Sequence, residues 1–379
     1  KIAQRAGLTV DQTRARLERM ADKGLVLDLP SHSGGPTRYY LSPPVIGFFE
    51  FALMRKREDI PQKKAAELLH RAIFESPDFL ELANKAETQV GRALVHETAL
   101  GDYSEILDYE RASALIRDAR VGALSLCYCR HKAEHMGQPC KYPQEICMSL
   151  NTGAEFAIRR NFARVAEKEE LLDLLSQARE LGLVQTGDNV KNRPTYICNC
   201  CGCCCGMLRA INQLGIKHAV ATSNFVAATD PERCTGCGKC ARACPVNTIS
   251  LVPRRPQPDG RRRMRAVIDE SVCLGCGVCV QACSKGLMQM EPRESRVLTP
   301  ENTMDRLVRM HLERGNLHHL VIDASASAAH DVMNRLLGSV LRLPPVKLAL
   351  AQEQVRSRFV HFMIGMARRQ RKIGELEKL

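Results

Sequence analysis

Eighteen cysteines stand among 379 residues, and they fall in tight groups instead of being scattered along the chain. Two of these groups share one form, C-x2-C-x2-C-x3-C, set 39 positions apart. The first holds Cys234, Cys237, Cys240 and Cys244; the second holds Cys273, Cys276, Cys279 and Cys283. A C-x2-C-x2-C loop wraps three thiolates around one cuboidal iron–sulfur cluster, a carrier of single electrons. Gly236, Gly238, Gly275 and Gly277 suit loops whose backbone amides must turn toward cluster sulfurs. Structural zinc also favours paired C-x2-C. Eight cysteines in two interlocking runs of this spacing point to iron instead.

The segment 229–292 resembles a bacterial two-cluster ferredoxin domain. In that pattern the fourth cysteine of each run begins a helix and ligates the other cluster. The resemblance implies one [4Fe-4S] cluster on Cys234, Cys237, Cys240 and Cys283, and a second on Cys273, Cys276, Cys279 and Cys244. Pro245 follows the first run as usual, whereas Ser284 replaces it after the second. Neither is a ligand, so the departure carries little weight.

Ten cysteines remain: Cys127 and Cys129 in CYCRH, then Cys140, Cys147, and Cys198, Cys200, Cys201, Cys203, Cys204 and Cys205 in CNCCGCCCG. One further cube needs about four ligands and two need about eight. The arrangement expected is a third [4Fe-4S] cluster. It takes Cys127 or Cys129, with Cys140 and Cys147, against members of the 198–205 run. A split, with one cluster on 127–147 and another on 198–205, is the variant of it. Adjacent cysteines diverge along an extended chain, so not every member of 200–201 or 203–205 reaches the same metal. Two other chemistries compete. Zinc can sit on Cys127, Cys129, Cys140 and Cys147, with His131 or His135, and a thiol–disulfide relay can run in 198–205. Arg130, directly after the C-x-C, can donate to cluster sulfurs or offset their charge and raise the potential. The whole layout resembles a family of multi-cluster ferredoxin-type proteins of anaerobic bacteria. There a winged-helix-like N-terminus precedes a CxCR motif, an NCC-type motif and a two-cluster ferredoxin domain. The resemblance implies electron transfer between partner oxidoreductases and names no substrate.

The elements that must hold these residues read as an α+β chain in four parts. Residues 1–45 give a helix ending at Gly7, a second helix (DQTRARLERMADKG) capped by Asp11, and a strand–turn–strand. This resembles a winged helix whose first helix precedes Lys1, so a leading segment is expected. Residues 46–228 form a helical and α/β Cys-rich domain, with Pro61 in the first turn of one helix. Its strands at 121–130 and 195–198 run into cysteines, and a helix at 167–182 closes at Gly182. Strands separated by helices suggest a small α/β unit over 101–228. The ferredoxin segment, 229–292, follows. Residues 293–379 are a helical segment broken at Pro344-Pro345.

Net charge is +13, and the excess is local: 253–265 carries six Arg against one Asp, and 356–372 carries six Arg or Lys and no acid. The Arg run at 261–265 lies between the cluster motifs, where it fits a docking patch for a redox partner with an acidic surface. Around Phe359, Phe362, Met363 and Ile364 the last stretch fits peripheral contact with a membrane or a protein. No apolar run approaches the ~20 residues of a transmembrane helix. The opening residues lack an apolar signal core, so a reducing cytoplasm is expected. No dinucleotide fingerprint, P-loop or C-x2-C-H haem motif occurs, and no Ser-His-Asp or paired-carboxylate arrangement can be argued.

The function expected is a one-electron relay, with catalysis left to partners. Two rivals stand beside it. One is a redox-sensing DNA-binding regulator, reading bases through Thr9, Asp11, Gln12, Thr13, Arg14 and Arg16, with Arg38 on the wing. The other is an oxidoreductase with an open-site cluster at 198–205.

Overall fold

Strands largely buried on both faces build the central layer, a six-stranded sheet. Its strands are β3 (Gly91–Ala93), β4 (Gly122–Leu126), β5 (Glu145–Leu150), β6 (Arg164–Val165), β7 (Val184–Asp188) and β8 (Tyr196–Cys200). Two further strands, β1 (Val26–Leu29) and β2 (Arg38–Leu41), pair as a separate N-terminal hairpin. The computed structural model describes residues 2–31, 34–76, 87–101, 107–254, 264–321 and 328–343, with 358, 359, 362 and 365. Arg261, Arg262 and Arg263, Pro344-Pro345, Met363 and Ile364 lie outside the described residues. Among the described residues no helix is long and apolar enough to cross a membrane.

The sheet order is β3-β7-β8-β5-β4-β6, and every pairing in it is antiparallel. The alternation of strands and helices suggested an α/β unit, but alternation does not fix strand direction. The chain returns antiparallel each time, which needs no crossover onto a parallel neighbour. Register then does the positioning. β5 meets β8 with Met148 opposite Ile197, so the next step brings Cys147 beside Cys198. Cys198 and Cys200, two apart, share one face of β8. β4 stops at Leu126, and Cys127 opens the helix Tyr128–His135 that carries Cys129, Arg130 and Lys132.

The N-terminal part folds as helix, helix and β1–β2 hairpin. The cap of the helix Val10–Asp22 is Thr9, not Asp11. Thr9 Oγ1 accepts from the Gln12 amide at 3.2 Å, while Gln12 Oε1 accepts from the Thr9 amide at 3.1 Å. This reciprocal pair satisfies two otherwise orphaned donors, which Asp11, two residues further in, cannot do. Pro61 likewise sits at the cap of Gln62–Phe74, one place before its first turn.

A buried carboxylate ties this part to the sheet. Asp28 accepts from Arg159 Nε at 2.8 Å and from Arg160 Nε at 3.0 Å, and Arg160 also pairs with Glu18 and Asp22. Asp28→Ala is expected to cost about 2 kcal/mol, since it strips a buried guanidinium of one of three partners. Burial raises the Asp28 pKa, but the hydrogen bonds from Arg160 and Arg159 outweigh it and hold the carboxyl below its usual range. A depressed folded value means stability present above about pH 4 and lost as pH falls through the lowered value. Unfolding of wild type and Asp28→Ala between pH 3 and 7 checks this, with the gap between them closing on the acid side.

The ferredoxin segment carries β9 (Phe225–Thr229) paired with β12 (Met288–Pro292), and β10 (Ile249–Pro253) paired with β11 (Met264–Ile268). In sequence the Arg run falls between the β10 and β11 strands, with Arg261, Arg262 and Arg263 outside the described residues. Two short helices, Lys239–Ala243 and Val278–Ala282, follow Gly238 and Gly277, both in the left-handed region. Each helix starts two residues after the second cysteine of its run, past the intervening glycine, and lasts five residues. The fourth cysteines, Cys244 and Cys283, therefore close their helices instead of beginning them.

This segment packs directly on the sheet domain. His96 donates its backbone amide to Cys276 O at 2.9 Å, and Ser223 Oγ donates to Gly275 O at 2.7 Å. Asn212 Nδ2 donates to Pro245 O at 2.9 Å. Beyond it, the helix Thr303–Glu313 returns to the far edge of the sheet, where Arg306 pairs with buried Asp188.

Candidate metal centres

Two cavities open inside the ferredoxin segment. Cys234, Cys237, Cys240 and Cys283 line the first; Cys244, Cys273, Cys276 and Cys279 line the second. In each, three cysteines come from one run and the fourth from the other. Backbone amides already point at sulfur: Ala266 N lies 3.4 Å from Cys234 Sγ, and Thr248 N lies 3.4 Å from Cys244 Sγ. The cavities differ in depth. All four inner cysteines are buried, whereas Cys237 is exposed and Cys234 and Cys283 are half-buried in the outer set. Burial pushes the Cys276 thiol up to about 12, so an inner thiolate needs a metal to hold its charge.

The other ten cysteines separate into two sets. Cys127, Cys129, Cys205, Cys200, Cys198 and Cys147 form a row in which each thiol contacts the next. Cys140, Cys201, Cys203 and Cys204 form the other set, with all four sulfurs within 4.8 Å of one another. The partition runs through adjacent residues. Cys200 ends β8 on one side and Cys201 leaves on the other. Cys205 N then bonds Cys201 O at 3.2 Å, closing a turn that throws Cys203 and Cys204 back toward Cys201. Cysteine divergence along a chain was legible in the sequence; which neighbour faces which set was not. The expected union of Cys127 or Cys129, Cys140 and Cys147 places in one group residues that this geometry divides between two.

Two cations face these sets from the helix Tyr128–His135. Arg130 is 1% exposed; its Nη2 donates to Asn199 O at 2.8 Å, its Nη1 to Pro143 O, and it also bonds Cys201. Lys132 is 2% exposed, and its Nζ has no hydrogen-bond partner among the described residues. The acidic groups nearest it are the thiols of Cys129, Cys205 and Cys204 and the carboxyl of Glu50, while the Phe74 ring lies 5.0 Å away. Sequence reading passed over Lys132, although its place three residues after Cys129 on a helix sets it on the same side. It also missed Thr186, whose Oγ1 lies 2.9 Å from Cys200 Sγ. His131 and His135 bond each other at 3.1 Å, and His131 Nδ1 lies 2.8 Å from Leu53 O. Neither belongs to the tight four-thiol group.

Of the residues read as base contacts, Thr9 and Gln12 cap the helix and Thr13 is buried, its hydroxyl donating to Thr9 O. Asp11, Arg14 and Arg16 are exposed and Arg38 is half-buried. Phe362 is exposed and Phe359 half-buried.

Residues 233–287 match the family model of a 4Fe-4S dicluster domain. Comparison with curated proteins and with solved structures gives no match. The matched segment contains every cysteine of both ferredoxin cavities, so this part of the chain is an iron–sulfur domain that holds [4Fe-4S] chemistry. The eight thiols would hold the cubes, and the amides of Ala266 and Thr248 would bond their sulfurs.

Proposed function

We propose that the chain is a one-electron relay. Two [4Fe-4S] clusters sit on the crossed ligand sets of the ferredoxin segment, and a third sits on four of the six thiols of the row. The observation that carries this reading is continuity. Seven of the eight ferredoxin thiols, all but exposed Cys237, pack in one apolar core with those of Cys198, Cys200 and Cys205. At the junction the Cys-rich turn lies on the inner ligand loop: a Cβ on Gly202 would come 2.6 Å from Pro245 O. A sealed apolar path of this kind insulates successive clusters and tunes their potentials through amides and nearby charge. The unpartnered ammonium of Lys132 supports the third cluster. A buried ammonium with no hydrogen-bond partner is costly, and an anionic cluster on the adjacent thiols would offset it, with the Glu50 carboxyl the other acidic group that acts on it.

The relay has a direction in space. Its outer end is the cluster near exposed Cys237, bordered by Lys239, Arg242 and Lys285, and its inner end is the six-thiol row. A partner with an acidic surface fits the outer end, the electron entering or leaving there. Zinc on Cys127, Cys129, Cys140 and Cys147 fits less well, because those four do not gather.

Iron and acid-labile sulfide per chain on anaerobically purified protein test the reading. About twelve of each are expected. About eight would remove the third cluster, and iron near zero would end the proposal. In the same preparation, reduction by an anionic donor protein slows as salt rises; a salt-independent rate would discard the acidic partner.

A further inference from the structure

From the four-thiol group beside the row we propose that Cys140, Cys201, Cys203 and Cys204 hold one metal ion as a mononuclear tetrahedral site, separate from every cube. The argument is the spacing of the sulfurs. Cys140 Sγ stands 3.7 Å from Cys201 Sγ and 3.7 Å from Cys203 Sγ, and Cys203 Sγ stands 3.7 Å from Cys204 Sγ. A tetrahedron with metal–sulfur bonds of about 2.3 Å has edges of about 3.8 Å. A cube cannot use sulfurs this close, since each of its four thiolates sits on a different iron and stands beyond reach of a shared ion. Among the described residues no other three or more His, Cys, Asp or Glu ligand atoms gather as tightly. The ferredoxin cysteines, read as cube ligands, are spread around cavities, as a larger guest demands.

The surroundings fit an ion. Four thiolates around a dication leave two negative charges, and Arg130, buried beside Cys201 and bonded to it, offsets part of them. Cys201 and Cys204 pack with Ile146, Ala178 and Leu183, a different apolar cluster from the one that holds Cys200 and Cys205. Cys203 is exposed, which gives the ion an entry path. The soft, compact S4 set suits Zn²⁺; mononuclear iron is the other ion of this geometry. The site has a mechanical role. It clips the 201–204 turn to the loop at Cys140, so Cys200 and Cys205 on either side of the turn are held toward the row.

Metal and sulfide analysis of the full chain and of Cys203→Ser, both purified anaerobically, tests this without relying on the relay. Wild type is expected to hold one zinc, or one iron beyond the number matched by sulfide, and the variant to lose that ion alone. Absorption at the zinc edge of the wild type should show four sulfurs at about 2.3 Å, which covers a variant that fails to fold. Loss of about four iron with four sulfide in Cys203→Ser would overturn the proposal. So would a wild type holding neither zinc nor sulfide-free iron. Failure of the relay shows instead as missing iron and sulfide in wild type, with this ion still present.

Discussion

Cys244→Ser is expected to abolish the inner cluster, the one whose other ligands stand 29 or more positions further along the chain, and to spare the cluster of its own run. Iron and sulfide should each fall by about four per chain. The reason is the exchange of ligands: Cys244 lines the cavity of Cys273, Cys276 and Cys279, while Cys283 lines that of Cys234, Cys237 and Cys240. Serine keeps the size of the side chain but is a poor iron ligand beside three thiolates, and the inner site is fully buried, so no water-borne donor replaces it. Electron paramagnetic resonance of the reduced protein checks the assignment. Two reduced cubes in neighbouring cavities interact magnetically, so wild type should give a broadened spectrum and the variant a simple one from the outer cluster. Electrons from a donor docked at Cys237 should then fail to reach the six-thiol row. If Cys244→Ser loses the outer cluster and keeps the inner, the ligands are not crossed and the cavities have been assigned wrongly.

How much of this was legible in the sequence differs sharply between the two cysteine regions. The ferredoxin runs carry their own geometry: the intervals are short, left-handed glycines stand at fixed offsets, and each loop needs little from the rest of the chain. Their division between two ligand sets is what the resemblance to a two-cluster ferredoxin implies, and the two cavities are lined in the same crossed way. The ten other cysteines have no such autonomy. Cys147 and Cys198 meet because β5 and β8 are neighbours in a particular register, and sheet order is a long-range outcome that local periodicity does not encode. Cys140 belongs with Cys201 only because the turn at 201–204 folds back, a feature hidden in a run where nearly every residue is cysteine. The cap at Thr9 is a different kind of error. Both Thr9 and Asp11 are good cap residues, and the deciding signal, Gln12 three places after Thr9, was present and unused. The strand direction of the sheet had no local signal at all.

The largest effect on the joint between the two regions is expected from Gly275→Ala. Gly275 has φ +70, and a Cβ there would stand 2.1 Å from Phe225 O and 2.2 Å from Ser223 Oγ. Neither neighbour yields easily. Phe225 begins β9, paired to β12, and Ser223 Oγ bonds Gly275 O itself. The substitution combines about 1–2 kcal/mol for a left-handed non-glycine residue with about 1–3 kcal/mol for overpacking, so a loss of about 3 kcal/mol is expected. Gly286→Ala separates the two terms. Its φ is +63, yet nothing lies within 4 Å of the added carbon, so it should cost about 1 kcal/mol. Denaturant-driven bleaching of the cluster absorbance, followed anaerobically, compares them. Gly275→Ala should bleach at clearly lower denaturant and lose the inner cluster first, because residue 275 lies between its ligands Cys273 and Cys276. Equal midpoints for the two variants would mean that the inner loop lifts off Ser223 and Phe225 at little cost. The packed joint would then be a hinge, and a relay that depends on fixed spacing between the inner cluster and the six-thiol row would lose its physical basis.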